Sequence, residues 1–176
     1  MKQLSFHEIR PDIKERIAQI QSNRTPIALL CDRMEYLPNV GSIFRLGDAA
    51  RLQHIYFYQN QLQLDFKKID KVARSTQKYV PFTLIESPQQ LIDLKNQFEW
   101  VALEKTDQSI PYTQFQPQTD KPILLVLGSE VQGVSPFLLE NCGQSLEIPM
   151  LGVNTSMNVA NAAGIVVYGL INNLKM

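Results

Sequence analysis

Apolar and polar positions alternate between two rhythms along this chain. Between residues 7 and 23, Ile9, Ile13, Ile17 and Ile20 recur at helical spacing, which predicts an amphipathic helix starting near Pro11. The run PIALLCD at 26–32 predicts a short apolar strand, and SIFRLGDAARL at 42–52 predicts the helix that follows it. HIYFY at 54–58 is the next strand, aromatic and β-prone. Beyond a polar stretch, FKKIDKVAR predicts a helix, YVPFTLI a strand, and SPQQLIDLKNQ an N-capped helix with Pro88 at its first position. WVALE at 100–104 and ILLVLG at 123–128 are further strands, and the unbroken apolar character of the second fits a strand covered on both faces. SPFLLENC predicts a short helix, SLEIPM a short strand, and the segment from Ser156 to about Leu174 a long apolar closing helix.

Strands alternating with helices indicate an α/β fold, a mostly parallel sheet flanked by helices. The 176 residues suit a single domain, with residues 1–24 as a helical extension and 25–176 as the body. At 44% hydrophobic and 19% charged, the composition excludes a disordered or collagen-like chain. No run approaches the roughly 18 to 20 apolar residues of a membrane span, and MKQLSFHEIRPDIKER is too charged for a signal peptide, so a cytoplasmic protein is expected. Cys31 and Cys142 have no CxxC spacing, against a zinc ribbon or a disulfide framework. With His7 and His54 the only histidines, a His-based metal site or a Ser-His-Asp triad is nearly excluded.

The formal net charge of zero hides a polarised chain. Residues 1–78 hold 13 Lys+Arg against 8 Asp+Glu, and residues 79–176 hold 4 against 9. Lys67, Lys68, Lys71, Arg74 and Lys78 concentrate the excess within twelve residues. Such a run suits an anionic partner and equally suits a solvated helix face.

Phosphate-binding signatures fail: there is no GxxxxGK[ST], and GSEVQG at 128–133 lacks the middle glycine of a dinucleotide fingerprint. Three other segments fall at strand ends, where ligands of parallel sheets sit. NVGSIFR runs from Asn39, a candidate cap for the following helix, through Gly41 to Arg45. GSEVQG holds Glu130 between two glycines, and IPMLGVNTSMNVA carries Asn154, Thr155, Ser156 and Asn158 between apolar runs. Each alone reads as an ordinary turn, cap or surface arginine. As an N-cap only Ser156 or Thr155 would be needed, so the surplus of hydrogen-bonding groups suggests a site.

In this order and spacing, NVGSIFR, GSEVQG and IPMLGVNTSMNVANAAG resemble the SpoU/TrmH family of knotted SPOUT-class RNA methyltransferases, over the chain from about residue 25 to its end. The resemblance implies an α/β fold with a C-terminal deep trefoil knot, where Gly128, Gly133, Gly143 and Gly152 supply turns in crowded loops. It implies S-adenosyl-L-methionine as methyl donor, bound by Leu103, Gly128, Ile148, Ser156 and Met157, with no metal required. It implies transfer to a ribose 2′-hydroxyl, with Arg45, Asn39, Glu130, Ser156 and Asn158 as the catalytic set. The RNA would be held by Lys67, Lys68, Lys71 and Arg74. The expected partners are RNA, tRNA before 23S rRNA, and a second copy in a homodimer that finishes each site. Relatives often carry a Ser-Gly or Ser-x-Gly step in a loop near the active site, where KVARSTQKYV has Ser75 and no glycine. A knotted base methyltransferase, a non-catalytic dimeric RNA-binding module and a flavodoxin-like ligand binder are the competing readings.

Overall fold

The computed structural model describes residues 1–5, 13–58 and 65–174. The expected helix start near Pro11, with Ile9, lies outside the described residues. The elements in chain order are α1 (Ile13–Ser22), β1 (Thr25–Asp32), α2 (Leu37–Ala49), β2 (Leu52–Tyr58), α3 (Phe66–Ala73), β3 (Phe82–Ile85), α4 (Pro88–Gln97), β4 (Glu99–Leu103), β5 (Ile110–Pro111), β6 (Ile123–Leu127), α5 (Pro136–Asn141), β7 (Gln144–Glu147) and α6 (Val159–Asn173). The strands form one seven-stranded sheet in the order β3-β2-β1-β6-β4-β7-β5, and every neighbouring pair is parallel. The expected parallel α/β sheet is therefore present, and all its carboxyl ends share one edge.

The central strands explain the layering. Ile27, Leu29 and Cys31 of β1 and Ile123, Leu125 and Leu127 of β6 face one core, which α2, α3 and α6 close with Phe44, Ile69 and Val166. Ala28, Leu30, Leu124 and Val126 face the other, closed by Leu91 and Leu94 of α4 and Leu138 of α5. Period-two alternation with both faces apolar gives the continuous runs seen in the sequence. The Phe44 ring meets Phe82 edge-on at 5.2 Å. Gly41 allows α2 to lie close to α3, because a Cβ there would come within 2.7 Å of Val72 Cβ. None of the helices among the described residues is long and apolar enough to cross a membrane.

Several expectations need correction. Helix α2 begins at Leu37, five residues before Ser42, because Pro38 fits its first turn and the N-cap is Tyr36. Asn39 is thus inside the helix and does not cap it. The closing helix starts at Val159 and is capped by Asn158, whose Oδ1 accepts the N–H groups of Ala160 at 3.0 Å and Asn161 at 3.3 Å. Neither Thr155 nor Ser156 serves as its cap. The strand expected over SLEIPM ends at Glu147, ahead of Pro149, which has no N–H to donate. Gly128 and Gly133 sit in crowded turns as expected, whereas a Cβ on Gly152 would meet nothing within 4 Å.

Candidate active site

Three loops meet at the carboxyl edge of the sheet. The first joins β1 to α2 over residues 33–36, with Asn39 in the first turn of the helix, the second follows β6 over 128–135, and the third joins β7 to α6 over 148–158. A β1–β6 adjacency in mid-sheet brings the first two together, and β7 beside β4 brings in the third.

The second loop folds back on itself. Ser129 and Gly133 exchange backbone hydrogen bonds at 3.0 and 3.2 Å, leaving Glu130, Val131 and Gln132 at the tip. Gly133 has φ +66, and a Cβ on Gly128 would lie 2.1 Å from the Gly133 carbonyl carbon, so both positions need glycine. From the end of β4, Glu104 reaches across, its Oε2 accepting the Val134 N–H at 2.9 Å.

Side chains then tie all three loops. Asn39, only 4% exposed, donates from Nδ2 to Glu130 Oε1 at 2.7 Å and accepts at Oδ1 from Asn158 Nδ2 at 2.8 Å. The other Glu130 oxygen accepts the Glu35 N–H at 3.1 Å. One asparagine of the first loop region therefore joins the glutamate of the second to the asparagine of the third. An ionised carboxylate can only accept, so Glu130 fixes which way the Asn39 amide points, and Asn39 in turn fixes Asn158.

Glu130 and Asn158 of this network also line a cavity of about 420 Å³. Its apolar wall includes Leu103, Leu146, Ile148, Met150 and Met157, and its polar wall Glu104, Ser129, Glu130, Glu147, Ser156 and Asn158. All five residues expected at the cofactor, Leu103, Gly128, Ile148, Ser156 and Met157, line it. Of the expected catalytic set, Glu130, Ser156 and Asn158 line it and Asn39 is bonded to two of them.

Arg45 is different. It is exposed on α2 and lies outside the cavity lining. Lys67, Lys68, Lys71 and Arg74 are exposed on or just after α3, with Lys68 3.7 Å from Asp65. Arg74 and Ser75 both have positive φ, 51 and 67, at the turn where the resemblance leads one to expect a glycine. Asp70 holds that turn by accepting from Gln77 Nε2, the Ser75 N–H and Ser75 Oγ. The Gln77 amide, foremost among these donors, keeps the Asp70 carboxyl below its ordinary pKa.

Sequence reasoning passed over Glu104, Asp32 and Arg33. Their only signal is position: each is a charged residue where an apolar strand ends, at the edge where ligands of such sheets bind.

The chain matches the SpoU rRNA Methylase family over residues 26–168. The tRNA (guanosine(18)-2′-O)-methyltransferase of Aquifex aeolicus is 28% identical over 151 residues, covering 85% of this chain and 70% of that protein. TrmH family relatives from Staphylococcus haemolyticus and Staphylococcus epidermidis are 28% and 26% identical, and the chain spans 56% and 60% of their lengths. The crystal structure of the A. aeolicus TrmH/SpoU tRNA modifying enzyme superposes with a TM-score of 0.76 at 25% identity, over 92% of this chain and 84% of that one. AviRb of Streptomyces viridochromogenes, a SpoU methyltransferase solved with AdoMet, shares the fold with a TM-score of 0.77 at 23% identity, over 96% and 67%. With the family model matched over residues 26–168, and the second and third motif segments lining one cavity to which Asn39 of the first is hydrogen-bonded, this chain belongs to the SpoU/TrmH methyltransferases.

Proposed function

We propose that the protein transfers a methyl group from S-adenosyl-L-methionine to a ribose 2′-hydroxyl of RNA, tRNA in preference to 23S rRNA, as a cytoplasmic homodimer. The observation that carries this reading is the Asn158–Asn39–Glu130 chain of hydrogen bonds closing one side of the cavity. A solely structural junction would not need three polar side chains, one from α2 and one from each of two loops, with two of them lining a cavity that also has an apolar wall. The A. aeolicus relative named for tRNA guanosine 2′-O-methylation supports the ribose and the tRNA. In the fold we propose, the chain beyond β6 passes through a loop to make the trefoil knot, consistent with β6 lying between β1 and β4.

The cavity fits the methyl donor in size and chemistry. About 420 Å³ lies within the range of small-molecule sites. Leu103, Ile148 and Met157 offer an apolar wall for a purine, while the glycine-tight turn at Gly128 brings backbone groups up to the ligand. When bound, S-adenosylmethionine supplies an electrophilic methyl whose leaving group is a neutral thioether.

The protein's task is then alignment and charge. A ribose hydroxyl is a weak nucleophile at neutral pH, and its oxygen gains negative charge as the bond forms. Arg45, as a permanent cation, grips the adjoining phosphate and stabilises that developing charge. Proton removal then falls to phosphate or water. Glu130, fixed by Asn39 and the Glu35 N–H, holds the second loop in register. Asn158 and Ser156 orient the third loop against the ribose, and Lys67, Lys68, Lys71 and Arg74 hold the RNA backbone.

Labelled S-adenosylmethionine incubated separately with total tRNA and with ribosomal RNA, followed by digestion to nucleosides, tests the proposal. A 2′-O-methyl nucleoside from the tRNA pool is expected. A methylated base, or cofactor binding without transfer to either pool, would overturn it in favour of a base-modifying or a non-catalytic RNA-binding protein.

A further inference from the structure

Arg33 follows β1 and has φ +50, a left-handed conformation that is uncommon for a residue with a side chain. Its own N–H continues the ladder by donating to the Tyr58 carbonyl at 2.9 Å. The strained backbone sends the guanidinium across to the second loop. There Nη1 donates to Gln132 Oε1 at 2.7 Å and Nη2 to the Gly133 carbonyl at 3.3 Å. Asp32 lies behind it with a side chain that is fully buried. Its two oxygens accept from Arg33 Nε and Nη2 at 3.3 Å, and Oδ2 also accepts the Ser135 N–H at 2.8 Å.

These bonds run from the first loop to both the tip and the far end of the second. Glu130, at the tip of the second loop, makes a second link to the first segment by accepting the Glu35 N–H and Asn39 Nδ2. The two staples together enclose the turn that forms the Ser129, Glu130 and Gly133 wall of the cavity. The planar guanidinium makes four hydrogen bonds here, to both Asp32 oxygens, the Gln132 amide oxygen and the Gly133 carbonyl, one more than the three donors of an ammonium could make. A residue kept in an unfavourable backbone region needs a compensating role, and the loop contact supplies one.

We propose that Arg33, braced by Asp32, is a positioning residue that sets the 128–135 loop so that the wall of the methyl-donor cavity and the Glu130 carboxylate stand ready before the ligand arrives. The ligand-binding part of this inference rests on the function proposed above. The positioning part does not.

The test uses Arg33→Gly and Arg33→Lys in the full chain. Glycine suits the left-handed backbone but strips the fully buried Asp32 carboxylate of its cation, so the melting temperature of Arg33→Gly should fall by several degrees, and guanidinium in the medium should restore part of it. In the ligand-free protein, amide hydrogen exchange over residues 129–135 should rise in Arg33→Gly while exchange in β1 and β6 stays the same. By calorimetry, S-adenosylmethionine should bind about tenfold more weakly to Arg33→Gly. Arg33→Lys should fall between the two. Millimolar guanidinium chloride, but not sodium chloride, should restore part of the affinity, which a general loss of stability would not allow.

Unchanged exchange in the loop would overturn the proposal without reference to any ligand. Loss of affinity that follows loss of melting temperature in both variants, without rescue, would reduce Arg33 to an ordinary structural residue. A wild-type chain that binds no S-adenosylmethionine, yet shows the loop-specific exchange, would overturn the proposed function and leave only the clamp.

Discussion

Asn39 shows how much chemistry a single buried amide can fix. Replacing it with aspartate keeps the acceptor for Asn158 but sets a second carboxylate against Glu130, where a donor now sits at 2.7 Å. Two like charges so close cannot both persist, and one must hold a proton. Asn39→Asp should therefore lose roughly 2 kcal/mol of stability at neutral pH. Because the proton is held more tightly in the folded state than in the unfolded chain, the deficit should shrink as pH falls from 7 toward 5. Thermal melts against pH would show the two proteins converging; a constant gap would mean the amide does not face the carboxylate in solution. Arg45 makes the opposite test, since it is exposed and outside the cavity wall. Arg45→Ala should abolish methyl transfer while calorimetric binding of S-adenosylmethionine stays within about twofold. Equal loss of both would place the arginine at the cofactor instead.

At the scale of elements, α3 presents Lys67, Lys68 and Lys71 to solvent, and only Lys68 has an acidic neighbour within 4 Å among the described residues. If RNA lies along this helix, converting the three lysines to alanine should weaken RNA binding and make its salt dependence shallower, by about 0.9 in log–log slope for each phosphate no longer neutralised. An unchanged slope would return the helix to a solvated face. The elements themselves were largely legible: buried strands announced themselves as PIALLCD and ILLVLG because both faces are covered. Helix starts were less so. Leu37 and Pro38 look like loop, but proline needs no donor in a first turn, so α2 could begin early. At the other end, Asn158 rather than a hydroxyl became the cap because the same side chain also reaches Asn39. That contact spans 119 residues and has no local signature. The same is true of Arg33 and Gln132, which are joined only by the adjacency of β1 and β6. Ser75 shows the converse. Its missing glycine looked like a departure, yet Asp70 holds the serine in the conformation a glycine would take.

In the whole molecule, the position of Arg45 decides how a site could be completed. Arg45 is six residues beyond Asn39 on α2, so at about 100° and 1.5 Å per residue the two side chains diverge by about 120° and lie about 9 Å apart along the axis. Asn39 turns inward to Glu130, whereas Arg45 faces solvent. Within one chain the arginine thus stands outside the cavity lining. Meanwhile α6 buries Ala163, Val166, Val167 and Leu170 but leaves Ile165 and Tyr168 39% and 52% exposed, three residues apart on one side, beside α2. In the proposed dimer that side would be covered, and each α2 would carry its arginine to the partner's cavity. The consequence is measurable with two inactive variants, Arg45→Ala and Asn39→Ala. A mixed dimer holds one site in which Asn39 comes from the first variant and Arg45 from the second, and this site is intact. Refolded or co-expressed in equal amounts, the mixture should recover about one quarter of wild-type activity, since half the dimers are mixed and each has one working site of two. If the arginine served its own chain, every site in the mixture would lack one group and no activity would return.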